Sequence, residues 1–191
     1  MECTALRKVL FALIVVLIGS WLTHGGMALA DPPAAQDAAT AGPLILDSFY
    51  QGTWNEQART PTSLTRGCEY ASTVYGRDTE GRITVRDACL QGGSTGRERA
   101  LEGIGTIRDS GRNAVLNVRY RFGIFRPTRV YRIIAAGPSG EWFISAEPGF
   151  QRIYFFTRAV APPRDQVESL ITRVRAIGYI GAIEILAAQG R

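Results

Sequence analysis

Glu56 and Asp87 are the residues of this chain best suited to chemistry. Each stands in an alternating segment, QGTWNEQAR or RITVRDAC, and would lie inside an apolar barrel if those segments are its strands. A carboxylate buried in such surroundings has its pKa raised, as a general acid or base at neutral pH requires. That is the equipment of an isomerase-like site; the plainer reading is a hydrogen-bonded polar cluster near the closed end of a barrel. Nothing supplies a nucleophile with a base beside it. His24, the sole histidine, precedes the body of the chain, and no G-x-S-x-G elbow occurs. Two carboxylates also fall well short of a metal-ligand cluster. No catalytic residue, metal site or cofactor is therefore expected.

The remaining reactive side chains are cysteines, and their meaning depends on compartment. Arg7 and Lys8 precede the apolar run VLFALIVVLIGSWL, and Ala28-Leu29-Ala30 follows it. A positive start, a short apolar stretch and an A-x-A ending describe a secretory signal peptide over residues 1–30, or, if uncleaved, an N-terminal anchor. The run is short for a spanning helix, which takes about 20 apolar residues. Periplasm or medium is the expected destination. Cys68 and Cys89 then meet an oxidising environment, where an even pair forms a disulfide unless both stay as buried thiols. ASTVYGRD and RITVRDAC flank a turn at Asp78–Gly81, so the two segments fold back and place Cys89 across from residues near 70.

These residues have to be positioned by strands. DPPAAQDAATAGP lacks any apolar period, which predicts a flexible leader over residues 31–45 and a single domain over 46–191. AVLNVRYRF puts Leu116, Val118, Tyr120 and Phe122 on one face and Asn117, Arg119 and Arg121 on the other. RITVR alternates in the same way. With Gly52–Arg59, Glu69–Arg77, Arg97–Arg108, Arg129–Ala136, Glu141–Glu147 and Arg152–Arg158, eight such segments form an antiparallel meander with one buried face. Such a meander can pack as a sandwich or close into an up-and-down barrel, and hairpin-short connections favour the barrel. Ile153–Phe156 is apolar on both faces, so its outer side needs a cover. Val167, Leu170, Ile171, Val174 and Ile177 recur at helical spacing and provide one, an amphipathic helix introduced by Pro162-Pro163 and ended by Gly178. Asp165 and Glu168 are candidate caps for its start.

The fold class expected is all-β: an eight-stranded antiparallel up-and-down barrel with a C-terminal α-helix on its outside. Gly52-Thr53-Trp54 opens the first strand, Thr157-Arg158 ends the last, and the helix follows. This pattern resembles the lipocalin family of the calycin type. W-x-E-x-A-R after the glycine, with cysteines at 68 and 89, is most similar to its bacterial branch. There are departures: Asn55 stands where tyrosine is usual, Asp87 where asparagine is common, and AAGPSGEWF keeps little of the middle signature. First and last strands of a closed barrel are neighbours, so Trp54 and Arg158 can meet, a guanidinium over an indole contributing about 0.5–2 kcal/mol. In the resemblance Gly52, Trp54 and Arg158 are structural and close the barrel floor.

Alternation and the family register together predict an inward set of Thr73, Tyr75, Val85, Asp87, Leu116, Val118, Tyr120, Tyr131, Ile133, Tyr154 and Phe156. An aromatic and aliphatic lining with phenol hydroxyls suits an acyl chain with a polar head near the mouth, while small barrels are also filled by their own side chains. The resemblance implies a carrier of a small hydrophobic ligand, a fatty acid or a lysophospholipid, and not an enzyme. Arg99, Arg126 and Arg129 are candidates to attract its head. The alternative is an interaction module of the cell envelope with a filled barrel. Net charge is +5, but the arginines are spread singly along the strands, so no nucleic-acid partner is expected. Peripheral contact with a membrane is compatible with the pattern, as is a monomer or a homodimer.

Overall fold

The computed structural model describes residues 41–93 and 95–186. The expected signal peptide and residues 31–40 of the leader lie outside the described residues. The eight strands are β1 (Gly52–Arg59), β2 (Cys68–Arg77), β3 (Ile83–Gln91), β4 (Arg97–Ile107), β5 (Val115–Arg121), β6 (Thr128–Ala136), β7 (Trp142–Ala146) and β8 (Ile153–Thr157). Each pairs antiparallel with the next in chain order, and β1 pairs with both β2 and β8. The meander therefore closes into a barrel, not a sandwich.

Closure at this small radius needs space on the inner face. Gly103 and Gly105 of β4 lie opposite Tyr120 and Val118 of β5. A Cβ at either position would stand 2.8 Å from the Val118 or Leu116 side chain. The missing side chains are what let those residues fill the barrel. The Cys68–Cys89 disulfide joins the start of β2 to the end of β3, with a sequence separation of 21. Replacing both cysteines with alanine should cost about 3 kcal/mol, the loop-closure entropy of a ring of that size. Denaturant midpoints of the variant and the parent measure it.

Helix α2 (Arg164–Ala176) lies along the outer side of β7 and β8. Val167, Leu170 and Val174 are buried with Ile144, Ile153 and Phe155. This is the cover that the doubly apolar β8 requires. Ile171 is only partly buried, and Ile177, expected on the same stripe, is 51% exposed because it sits at the helix C-cap, where the chain turns away. Gly178, at a φ of 95°, makes that turn. No side chain caps the helix start; Glu168 instead pairs with Arg164 at 2.8 Å, and Asp165 accepts from the Gln166 amide.

Two elements were not legible in the sequence. The four-residue helix α1 (Leu46–Phe49) precedes β1, and β9 (Glu184–Ile185) pairs with Ala58 and Arg59. That pairing takes up the edge of β1 just beyond Glu56, where its ladder with β2 ends. Upstream of α1, the Ala41 amide donates to the Ile133 carbonyl at 2.7 Å and Asn113 Nδ2 to the Leu44 carbonyl at 2.9 Å. The chain entering β1 is thus fastened across one end of the barrel.

Candidate functional site

The barrel has a floor and a mouth, and the sequence builds them from different materials. At the floor, the Arg158 guanidinium lies 3.6 Å from the Trp54 ring centroid. Its Nη1 donates to the carbonyls of Gln51 and Thr53 at 2.8 and 3.0 Å, and its Nη2 to that of Ser48 at 2.9 Å. Gly52, at a φ of 71°, brings that backbone round beneath the guanidinium. Trp54 Nε1 donates to the Phe49 carbonyl at 3.0 Å. Phe49 and Tyr50, neither of them marked out by a motif, turn into the barrel and pack against Trp54, Phe143 and Tyr75. Tyr75, Val85, Leu116, Val118, Ile133 and Phe156 are buried in the same cluster. The floor half is filled by the chain itself.

Toward the mouth the inner face changes character. Thr73 Oγ1 donates to Asp87 Oδ1 at 2.6 Å, the Tyr120 hydroxyl donates to Asp87 Oδ2, and the Tyr131 hydroxyl lies 3.0 Å from that of Tyr120. These four residues all belong to the predicted inward set, and here they form one hydrogen-bonded chain. The Tyr131 and Tyr154 rings meet edge to face, 6.1 Å between centroids. Tyr154 donates to Glu147 at 2.9 Å, and Glu147 also takes two bonds from Arg152 and pairs with Arg129 at 3.6 Å. Asp87, Tyr131 and Tyr154 are half-buried, and Leu101, opposite Asp87 in the ladder, is 38% exposed. Arg99, on the same face by alternation, is exposed. Arg126 folds onto the carbonyls of its own turn. The polar chain is therefore the base of a cup that opens outward.

Glu56 is a buried carboxylate satisfied on one oxygen only. Its Oε2 accepts from Arg59 Nη1 at 3.3 Å, and its Oε1 is buried without a partner. Burial outweighs the attraction of Arg59 and raises the Glu56 pKa to about 7, with Asp87 pushing the same way. Asp87 is itself raised by burial. A carboxyl held neutral in the fold but ionised in the unfolded chain loses stability as pH rises above the ordinary glutamate value, up to its folded pKa. Glu56→Gln mimics the neutral form. It should be more stable than the parent at pH 8, by roughly 3 kcal/mol for a shift of that size, and no more stable at pH 4.5. Denaturant melts at the two pH values check the sign.

Arg59, which the sequence offered only as the end of W-x-E-x-A-R, is 1% exposed. A bulge in β1 between Glu56 and Ala58 returns it to the inner face. There its guanidinium reaches Glu56, Glu184 and the carbonyls of Thr65 and Cys68. Glu147 was likewise missed, since a glutamate at a strand end reads as a solvated one. Two of the surface recesses among the described residues lie outside the barrel. One, of about 640 Å³, lies under the floor against Ala41–Ile45, Trp54 and Arg158; the other lies beside Tyr179 and Phe150.

Comparison with known proteins agrees with this architecture. The solved structure of insecticyanin from the tobacco hornworm Manduca sexta superposes with a TM-score of 0.62 at 13% identity, over 79% of this chain and 84% of that one. The tryptamine complex of the amine binding protein of Rhodnius prolixus gives 0.59 at 9% identity, over 74% and 80%. Lobster apocrustacyanin A1 gives 0.54 at 14% identity, over 75% and 79%. No curated protein sequence matches. A family model described as a lipocalin-like domain matches residues 48–187. With the closed eight-stranded barrel and its outer helix, that match makes this chain a member of the lipocalin family.

Proposed function

We propose that this protein is an exported carrier that holds one small amphiphilic lipid, a fatty acid or a lysophospholipid, in the mouth half of its barrel, for transport, storage or scavenging in the cell envelope. The observation that carries the reading is the division of the inner face. Trp54, Leu116 and Val118 are fully buried, whereas Leu101, Tyr131 and Tyr154 farther up remain accessible. A lining of aromatic and aliphatic walls with a few convergent polar groups is what small-molecule sites are made of. A filled floor limits the depth, so a short stretch of acyl chain enters and the head stays at the rim near Arg99. The disulfide supports function in an oxidising compartment, and the apolar N-terminal run supports export.

A second reading rests on Glu56 Oε1, buried without a partner, and on Asp87 beside it. Two carboxylates at the base of the cup favour a ligand that brings an ammonium group, and the Rhodnius neighbour is an amine binder. One titration series separates the two. Delipidated protein is titrated with a fluorescent fatty acid, with a lysophospholipid and with tryptamine. Saturable one-to-one binding of either lipid, unaffected by Asp87→Asn, is the expected result. Tryptamine binding that Asp87→Asn abolishes would transfer the assignment to the amine, and failure of all three would remove the carrier.

A further inference from the structure

The mouth carries a surface that the carrier reading does not use. Between β5 and β6 the chain reverses at Phe122-Gly123-Ile124-Phe125. Phe122 and Phe125 exchange both backbone hydrogen bonds, at 3.1 and 2.9 Å, and Gly123 supplies a φ of 56°. A two-residue hairpin turn of this kind is stiff. Arg126 stiffens it further, its Nη1 donating to the carbonyls of Gly123 and Phe125 at 2.7 and 2.8 Å. Phe122, Ile124 and Phe125 stay 61%, 88% and 65% exposed.

The rest of the rim repeats the theme. Leu64 in the β1–β2 loop is 65% exposed, and Ile180, beside the β7–β8 turn, is 95% exposed. Single exposed apolar residues are ordinary, but a set gathered at one end of a barrel marks an interaction surface. Charge selects the partner. Around this rim Arg66, Arg97, Arg99 and Arg126 have no carboxylate partner among the described residues, while Glu98, Glu102 and Glu147 are each matched to an arginine; the exposed Glu69 at the start of β2 is also without one, which leaves the unmatched charge cationic, four to one. Two copies meeting mouth to mouth would oppose these cations. A nucleic acid would leave the apolar tip unused. An apolar prow ringed by unpaired arginines fits the interface of an anionic bilayer, where tails accept the first and phosphates the second.

We propose that the mouth of the barrel docks on an anionic membrane surface, with the Ile124–Phe125 turn entering the headgroup layer and Arg66, Arg97, Arg99 and Arg126 meeting lipid phosphates. The contact is peripheral; no helix among the described residues is long and apolar enough to span a bilayer. It goes beyond the carrier reading and does not depend on it, because it is measured without added ligand.

The test uses protein purified after export and vesicles of phosphatidylcholine with or without phosphatidylglycerol. Ile124→Ser/Phe125→Ser should lower the partition coefficient on anionic vesicles by roughly tenfold or more, the loss of two apolar side chains from an interface. Neutral vesicles and high salt should weaken the parent's binding. In a separate Ile124→Trp variant, the indole emission should shift to the blue on anionic vesicles and be quenched by brominated acyl chains. An indole at position 124 that stays in water, whatever the partition, overturns the proposal. So does a concentration-dependent dimer that the double serine variant abolishes, which would give the face to a second copy. Unchanged thermal melting of the serine variant confirms that folding is intact.

Discussion

Arg59→Met is expected to destabilise the protein by about 3–5 kcal/mol, the range seen when one partner of a buried ion pair is removed. Methionine keeps most of the stem volume, so the loss falls on the head group. The guanidinium bonds Glu184 at 2.6 Å, Glu56 at 3.3 Å, and the carbonyls of Thr65 and Cys68 at 3.2 and 2.7 Å. Without it, Glu56 has no cation beside it and its pKa rises further. The penalty should then be larger at pH 8 than at pH 5, because the parent's Glu56 is already raised to about 7. Adding Glu56→Gln removes the stranded carboxyl and should recover part of the loss. Denaturant melts of the parent, both single variants and the double variant give the coupling energy. A cost below about 1 kcal/mol, or no recovery in the double variant, would mean that loop and tail are held by something other than this arginine.

Trp54→Ala should cost about 3–5 kcal/mol, as for a fully buried large aromatic. The indole is 0% exposed, lies 4.7 Å from the Phe143 ring centroid and 5.3 Å from that of Phe49, and carries the Arg158 guanidinium on its face. Its removal leaves a void inside the barrel and leaves the Phe49 carbonyl with only the longer bond from Arg158 Nη2, at 3.4 Å. Trp54→Phe keeps a ring in place but loses the bond to that carbonyl, and should cost about 1–2 kcal/mol. If the floor is what supports the cup, both variants should lower the melting temperature in this order. Ligand affinity per folded molecule should be little changed by Trp54→Phe. A melting temperature unaffected by Trp54→Ala would show that the aromatic plug is not what seals the floor.

How much of this was legible in the sequence depends on range. The strands could be placed within a few residues because period-2 alternation and turn residues are local signals, and AVLNVRYRF carries both. The helix was legible for the same reason, except at Ile177, where apolar spacing continues one step past the end of the structure that buries it. Leu46–Phe49 is too short to show a period, so Phe49 and Tyr50, which plug the floor beside Trp54, left no trace. Arg59 was missed because Glu184 reaches it from far down the chain; Glu147 was missed because only the β7–β8 turn and its register turn Arg152 and Tyr154, five and seven residues on, back onto it. The inward direction of Thr73, Asp87, Tyr120 and Tyr131 follows from alternation, but their hydrogen bonding to one another depends on the register between β2, β3, β5 and β6. The same limit applies to depth. Alternation tells in from out, not floor from mouth, and the division between a packed half and an accessible half emerges only when the ring is closed.

β9 has a structural consequence of its own. The ladder between β1 and β2 stops at Glu56 and Ala71, and the amides and carbonyls farther along β1 are answered instead by Glu184, Ile185 and Leu186. The wall thus contains a splayed seam, stitched by residues from more than a hundred positions downstream. Peeling the stitch away would bare a short run of unsatisfied backbone and release one grip on Arg59 together. A newly made chain therefore cannot finish its wall at that seam until Glu184, Ile185 and Leu186 have been added.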